Sequence, residues 1–470
     1  MNFTSFNFLL LFPAICIVYY FIPYKWRWCY LLLVSYIFYF SWQPVYGLIL
    51  ATVTLVSYVS GLKIGQFGMN DKKAKHWLTG GIVVTLLPLL FFKYYNFIND
   101  SIFNLFSIVG WNFRLPEMKL LLPLGISFFT FMAIGYMVDV YRGITIPQRN
   151  IGLYALFVSF FPQVTSGPIG RAEQLIPQLK EPEKLLLDNV VAGLKMMLWG
   201  YLMKFCVADR LGIYVDTIWN NLDNHNGTTY LLSSLFYTIQ IYGDFAGYSL
   251  VAIGSARVMG IRLMNNFLRP YFSNSLKDFW RRWHISLSSW MRDYIYIPLG
   301  GSRVSSSRHL FNIFATMLIS GLWHGAAWTF VFWGALHGLA QVVQTLWNKV
   351  IKFRMPEVLK IVFCFAFVNF AWIFFRAPDF NSAFQVISGI FTSPGKPFLD
   401  TMVFAYGLTS FLIILIKDCI DERRSRKLIA SQCGNSVNEQ IKDMIQIILL
   451  ASYTLLFGVF DGGQFIYFQF

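Results

Sequence analysis

Charge is scarce in this sequence. Asp, Glu, Lys and Arg make up 13% of its 470 residues, against roughly 25% in soluble domains. With 56% apolar residues beside so little charge, the chain cannot cover itself with a water-facing surface, which excludes a soluble globular protein. Acidic residues are the scarcer sign, 23 against 38 basic ones, for a net charge of +15. In a soluble protein that excess would point to nucleic acid. Here the basic residues stand in short loops between apolar runs, where a Lys/Arg surplus marks the cytoplasmic side of a membrane, so no nucleic-acid partner is expected. Cysteine is sparse too. Cys16, Cys29, Cys206, Cys364, Cys419 and Cys433 include no CxxC pair, so they read as small core residues, not as a disulfide framework or metal ligands. There is no HExxH, no GxSxG, no P-loop and no carboxylate cluster, so no metal is expected.

What is present is apolar length. The hydrophobic segments are continuous and do not alternate, which selects helices over barrel strands. Aromatic residues reach 19%, with 48 Phe and 15 Trp. The expected fold class is an all-α polytopic membrane protein.

Taken in order, the first run covers about residues 6–23. It lacks a basic n-region and a small-residue cleavage site, so it is expected to be an uncleaved helix. Lys25 and Arg27 follow and place that turn in the cytoplasm. A second run ends near Trp42-Gln43-Pro44, a third covers about Tyr46 to Leu62, and a fourth about Trp77 to Phe92. Lys93 to Asn99 is expected to end the fourth, leaving Ile102 to Trp111 in the interface. The fifth, about Leu120 to Tyr141, has Pro123, Gly125 and Ser127 at its start. The sixth, Gly152 to Val164, is short and Pro/Gly-broken, as a re-entrant piece would be. Val190 to Val207 spans. Tyr230 to Leu250 follows, with an expected break at Tyr242-Gly243-Asp244-Phe245-Ala246-Gly247-Tyr248. Residues 265–309 form the longest polar insert, rich in Arg and Trp, and are expected to make amphipathic helices at the cytoplasmic interface with their rings at headgroup level. Two apolar pieces surround His324. Val358 to Phe375 and Met402 to Ile416 span next, and Lys417, Arg423, Arg424, Arg426 and Lys427 make the strongest cytoplasmic signal. A last span, about Ile445 to Phe460, leaves residues 461–470 as an external aromatic tail. The count is about eleven spans in one domain, residues 1–470, without internal repeats.

Two histidines stand out. His324 lies inside Ile319-Ser320-Gly321-Leu322-Trp323-His324-Gly325-Ala326-Ala327-Trp328. An imidazole at membrane depth is costly unless it serves a cavity, a partner or a reaction. Gly321 and Gly325 would let backbone and substrate approach it. A neutral imidazole can take a proton from a hydroxyl, as acyl transfer to an alcohol requires, or be acylated itself. His284 lies in Asp278-Phe279-Trp280-Arg281-Arg282-Trp283-His284-Ile285-Ser286-Leu287-Ser288, either as a second proton-handling group or as an interfacial histidine. Arg281 and Arg282 are snorkelling residues or contacts for donor phosphates. Asp244, between two glycines in an apolar run, and Trp323 are candidates for donor binding or support of the site. His337 reads as packing or support. His76, His225 and His309 lie in polar loops without a role. Phe465-Ile466-Tyr467-Phe468-Gln469-Phe470 is either an aromatic belt or a tail that presents Tyr467 to a buried site.

Gly321-Leu322-Trp323-His324-Gly325, the His284 segment, Pro123-Leu124-Gly125-Ile126-Ser127-Phe128 and Ser166-Gly167-Pro168-Ile169 together resemble the membrane-bound O-acyltransferase superfamily. The nearest likeness is to the bacterial branch of alginate O-acetyltransferase membrane subunits and their kin in peptidoglycan O-acetylation and teichoic acid D-alanylation. The resemblance implies a ring of tilted helices with funnels from both faces, His324 at the family's catalytic histidine and His284 at its second histidine. It implies no permanently bound cofactor. The donor would be a cytoplasmic acyl-CoA or acyl-carrier-protein thioester, from which an acyl group, acetyl first among them, crosses the bacterial inner membrane. An exported SGNH-type acetyltransferase partner would then place it on a polysaccharide hydroxyl. In teichoic acid systems a separate small membrane peptide ends in a motif similar to the Tyr467 segment, which makes Tyr467 a candidate acyl relay. The competing class is a transporter or lipid flippase, which shares broken helices and buried charges but usually shows two pseudo-repeats.

Overall fold

The computed structural model describes residues 3–41, 44–69, 71–110, 114–118, 121–350, 355–427 and 437–460, with the backbone alone at 425–427 and 437–443. The described residues are mostly helical and contain no strand. A chain this apolar must close its backbone hydrogen bonds within each segment, and a helix does so. Among the described residues, five helical stretches are long and apolar enough to cross a membrane: Pro44–Phe67, Lys72–Ser107, Leu187–Trp219, Glu357–Arg376 and Val403–Arg424. Shorter apolar helices cover Phe6–Phe21, Ile126–Tyr141, Ile151–Val164 and Met444–Phe457. The protein is an all-α polytopic membrane protein.

The helices gather into two compact units. One comprises Met1–Val190, Ala256–Met264 and Gly325–Ala327; the other comprises Val191–Ser255, Asn265–His324 and Trp328–Phe470.

In the first unit, the Ile126–Tyr141 helix is buried along nearly its whole length. Its start explains the Pro/Gly cluster before it. Gly125 has φ +70°, and a Cβ there would lie 2.0 Å from the Val164 carbonyl oxygen. Both the backbone conformation and the space therefore require glycine. The Ile151–Ser159 helix stops at Phe160, and a single turn Phe161–Val164 follows. Ser35 Oγ accepts the Phe161 N–H at 3.1 Å, so the break leaves that donor satisfied in a buried setting.

The fourth apolar run does not end where the polar residues Lys93 to Asn99 stand. The helix continues to Ser107 through a π-helical stretch, Leu90–Tyr94, just after Pro88. Proline removes a helical hydrogen bond, and an extra residue in the turn absorbs the mismatch. The asparagine amides are used outside the helix backbone: Asn99 Nδ2 donates to Leu115 O and Asn96 Nδ2 to Met118 O, each at 2.8 Å.

In the second unit, the break expected at 242–248 does not occur. Gly227–Val258 is one helix of 32 residues. Its glycines serve contact with the Leu187–Trp219 stretch. A Cβ on Gly247 would lie 2.8 Å from Gly200 O, and one on Gly254 would lie 2.5 Å from Gly193 O. Small residues facing each other bring two backbones together, the main source of helix association where lipid offers no hydrophobic drive. Asp244 sits in this seam against Lys204, which makes the charge tolerable. The polar insert also departs from expectation. It forms two short helices, Leu276–Arg282 and Ile285–Met291. Its Trp280, Trp283 and Trp290 are buried instead of standing at headgroup level. Trp280 and Trp283 join an aromatic core with Trp333 and Trp372, and Trp290 packs on Tyr294.

Candidate active site

His324 closes the Ser306–His324 helix, and the Trp328–Val350 helix runs back along it. The two touch through backbone. A Cβ on Gly321 would lie 2.5 Å from Phe330 O, and one on Gly334 would lie 2.6 Å from Met317 O. Gly321 therefore makes room for the neighbouring helix. This close hairpin holds His324 between rings: centroids lie 5.1 Å away for Trp323, 5.1 Å for Trp333 and 5.5 Å for Phe375, all edge-to-face. The residue is 2% exposed. An aromatic enclosure of this kind lowers the local dielectric and strengthens any charge interaction within it.

His284 is reached from a different element and is fully buried. It links the two short helices in a left-handed conformation, φ 42° and ψ 56°. For a residue with a Cβ this costs on the order of 1–2 kcal/mol and persists only where the surroundings impose it. They do so through residues 266–268. Asn266 O accepts from Ile285 N, and Leu268 N donates to Arg282 O, both at 2.9 Å. Asn266 Oδ1 faces His284 Nδ1 at 3.1 Å and accepts from Ser286 N at 3.2 Å and Ser286 Oγ at 2.9 Å. Asn266 Nδ2 donates to Ser249 Oγ at 3.1 Å. Phe245 closes the ring edge-on with centroids 4.6 Å apart. The insert carrying His284 is not among the membrane-crossing stretches, and burial pushes its imidazole down to about 3, so the neutral ring prevails.

The structure brings the two histidines together, with ring centroids 6.5 Å apart and Trp323 touching both. Asp244 is placed elsewhere. Its Oδ1 lies 2.6 Å from Lys204 Nζ, which is also 2.7 Å from Asp209 Oδ1, and all three side chains are buried. Arg282 bridges Asp278 at 3.1 Å and Glu422 at 3.0 Å, and Arg269 joins the same Glu422 oxygen at 2.8 Å. The network ties the His284 insert to the Val403–Arg424 stretch. Arg281 is exposed. His337 Nδ1 accepts from Trp280 Nε1 at 3.4 Å, within the aromatic core. Tyr467 and the tail 461–470 lie outside the described residues. No group of three His, Cys, Asp or Glu that could hold a metal occurs among the described residues.

A cavity of 470 Å³ lies in the same unit, walled by Lys195, Trp199, Ser249, Asn266, Arg269 and Lys417 among others. Ser249 and Asn266 thus face this cavity while holding His284.

Three residues of the hydrogen-bond network around His284 were not legible as candidates. Asn266, Ser249 and Ser286 are ordinary polar residues until the chain folds. Lys204 did carry a signal, a cation within the Val190 to Val207 run, where an ionisable side chain is a functional candidate by default.

The chain matches the model of the membrane-bound O-acyltransferase (MBOAT) family over residues 148–383. It is 40% identical over 393 residues to the probable alginate O-acetylase AlgI of Azotobacter vinelandii, covering 83% of this chain and 78% of that protein. Identity to the corresponding Pseudomonas aeruginosa protein is 40%, covering 83% and 75%. The peptidoglycan O-acetyltransferase of Helicobacter pylori is 36% identical, with 77% of this chain and 73% of that protein covered.

Proposed function

Because the chain belongs to the membrane-bound O-acyltransferase family and is an O-acyltransferase, we propose that it carries an acetyl group from a cytoplasmic thioester, acyl-CoA or acyl-carrier protein, across the bacterial inner membrane for O-acetylation of a polysaccharide. The observation that carries this reading is the buried pair His284 and His324, set 6.5 Å apart in an aromatic enclosure. Relatives named for alginate and peptidoglycan acetylation support a polysaccharide acceptor. The positive-inside distribution supports a cytoplasmic donor. The 470 Å³ cavity carries Lys195, Arg269 and Lys417 on its wall, and its lining includes Asn266, whose side chain meets His284, which supports a donor site on this side of the pair.

In this reading His324 takes the proton of an attacking hydroxyl as its oxygen bonds to the thioester carbonyl. The carbon–sulfur bond then breaks, and the thiolate leaves with the proton returned. His284 stands by as the second proton-handling group. The hydroxyl is that of Tyr467, which holds the acetyl group as an ester and passes it to an exported SGNH-type acetyltransferase. Trp323 keeps water from the reacting centre, and Asp244 supports the helix that carries Phe245.

The test is peptide mapping after incubation of the purified protein with a labelled acetyl thioester, native against His324→Ala. Label on Tyr467 that disappears in His324→Ala is the expected result. Consumption of donor without label on Tyr467 or His324 would overturn the relay and favour direct transfer to the partner.

A further inference from the structure

Asn266 Oδ1 lies among three nitrogen and oxygen atoms, and one of them admits only one role. The Ser286 backbone N–H, 3.2 Å away, is an obligatory donor. The atom facing it must accept, so the amide oxygen, and not the amide nitrogen, points toward His284. Asn266 Nδ2 correspondingly turns to Ser249 Oγ at 3.1 Å. The Ser286 hydroxyl spends its proton on the same amide oxygen at 2.9 Å, so only its lone pairs remain for His284 Nδ1, 3.4 Å away. His284 Nδ1 therefore meets an acceptor at 3.1 Å and another at 3.4 Å. A bare nitrogen there would set lone pair against lone pair.

We infer that Asn266 is a positioning residue for acyl transfer: it holds the proton of His284 on Nδ1, so that Nε2 carries the lone pair and is the nitrogen through which His284 acts as the second proton-handling group. The inference rests on the acyltransfer role given to His284 above. The arrangement costs the protein a left-handed residue at φ 42°, and the Asn266 carbonyl secures that conformation through Ile285 N at 2.9 Å. One residue thus sets both the backbone and the tautomer, in the way an acceptor beside a catalytic imidazole fixes which nitrogen is basic. Ser249, which orients Asn266, belongs to the helix carrying Phe245, whose ring packs on His284.

Among the described residues, three elements bring titratable groups to the surroundings of His284. His324 is 6.5 Å away between centroids. On the Phe245 helix, Asp244 is held by Lys204 and Tyr242 donates to Asp418. On its own element, Arg282 is held by Asp278 and Glu422. A carboxylate introduced at 266 would therefore act on His284 as its immediate charged neighbour.

The test has two readouts on full-length protein in detergent. In protein labelled with 15N-histidine, with the His284 signals assigned by loss in His284→Gln, the native enzyme is expected to show the Nδ1-protonated neutral form, and Asn266→Ala to lose it. An Nε2-protonated ring in the native protein overturns the inference whether or not acetyl transfer is observed. In the kinetic readout, Asn266→Asp keeps the acceptor but favours the imidazolium, so the acid limb of kcat should move to higher pH while the donor KM stays near native. Asn266→Ala should lower kcat by about 10- to 100-fold. An Asn266→Asp limb coincident with native, or Asn266→Ala within two-fold of native kcat, overturns it. Should Asn266→Ala fail to fold, the tautomer of the native ring and the Asn266→Asp profile decide. Absence of any acetyl transfer by native protein counts against the proposed function alone, since the tautomer is read without turnover.

Discussion

At the scale of single residues, His324 and His284 differ in how they are held. His324 is gripped by rings. His284 is gripped by hydrogen bonds to a strained backbone. Substituting His324 by Ala should therefore leave a folded protein while cutting acetyl transfer by about 100- to 10,000-fold, the usual contribution of a positioned acid–base group. Thermal unfolding and donor turnover measured on the same sample check this. His284 carries a pH signature as well. Its imidazole falls from the ordinary 6.5 to about 3 on burial. Below the ordinary value the unfolded chain binds a proton that the folded chain refuses, so stability drops as pH falls through that window and is retained above it. Melting temperatures between pH 7 and pH 4 should fall more steeply in the native protein than in His284→Gln. Equal slopes would show that the ring is not the group responsible.

At the scale of elements, glycine has two jobs that look alike in sequence. At Gly125 it allows a left-handed turn into a helix, whereas at Gly247 and Gly254 it lets two long helices meet backbone to backbone. A glycine within a helix costs about 1 kcal/mol by propensity, so a Gly-Asp-Phe-Ala-Gly stretch reads as a break. The cost is recovered by contact with Gly193 and Gly200, about fifty residues back in the chain, which no local pattern reveals. Gly254→Leu should separate the seam and lower the melting temperature by several degrees, with loss of folded protein on size exclusion as the sharper readout. Lys204 holds the same seam electrostatically. Its replacement by Met removes the cation that bridges Asp209 and Asp244, a loss of about 3–5 kcal/mol. A triple variant with Lys204→Met, Asp209→Asn and Asp244→Asn should recover much of that loss. Failure of the triple variant to recover would mean that Lys204 acts through packing and not through charge.

At the scale of the whole molecule, the proposed path of the acetyl group links a cytoplasmic donor to an external tail. Cells carrying Tyr467→Phe should make normal amounts of the membrane protein but lose acetylation of their surface polysaccharide, as measured by mass analysis of the polymer. Full acetylation would remove Tyr467 from the path and leave the acyltransferase itself in place. The all-helical membrane architecture and the family were both legible beforehand. Continuous apolar length is a local property that lipid translates directly into helices, and the His324 and His284 motifs are contiguous in sequence. The number and course of the helices were less so. The continuation of Lys72–Ser107 through its polar residues, for example, depends on Asn96 and Asn99 finding partners at 115–118.

Sequence alone therefore determined the solvent in which this protein lives, its helical class, its family and the two histidines at its candidate centre. Each of these follows from composition or from residues adjacent in the chain. Tertiary structure alone decided that the histidines share one enclosure, that Asp244 pairs with Lys204, and that the Asn266 side chain meets the His284 ring. Those outcomes depend on hydrogen bonds and close contacts between residues distant in sequence, whose existence is set only when the helices pack.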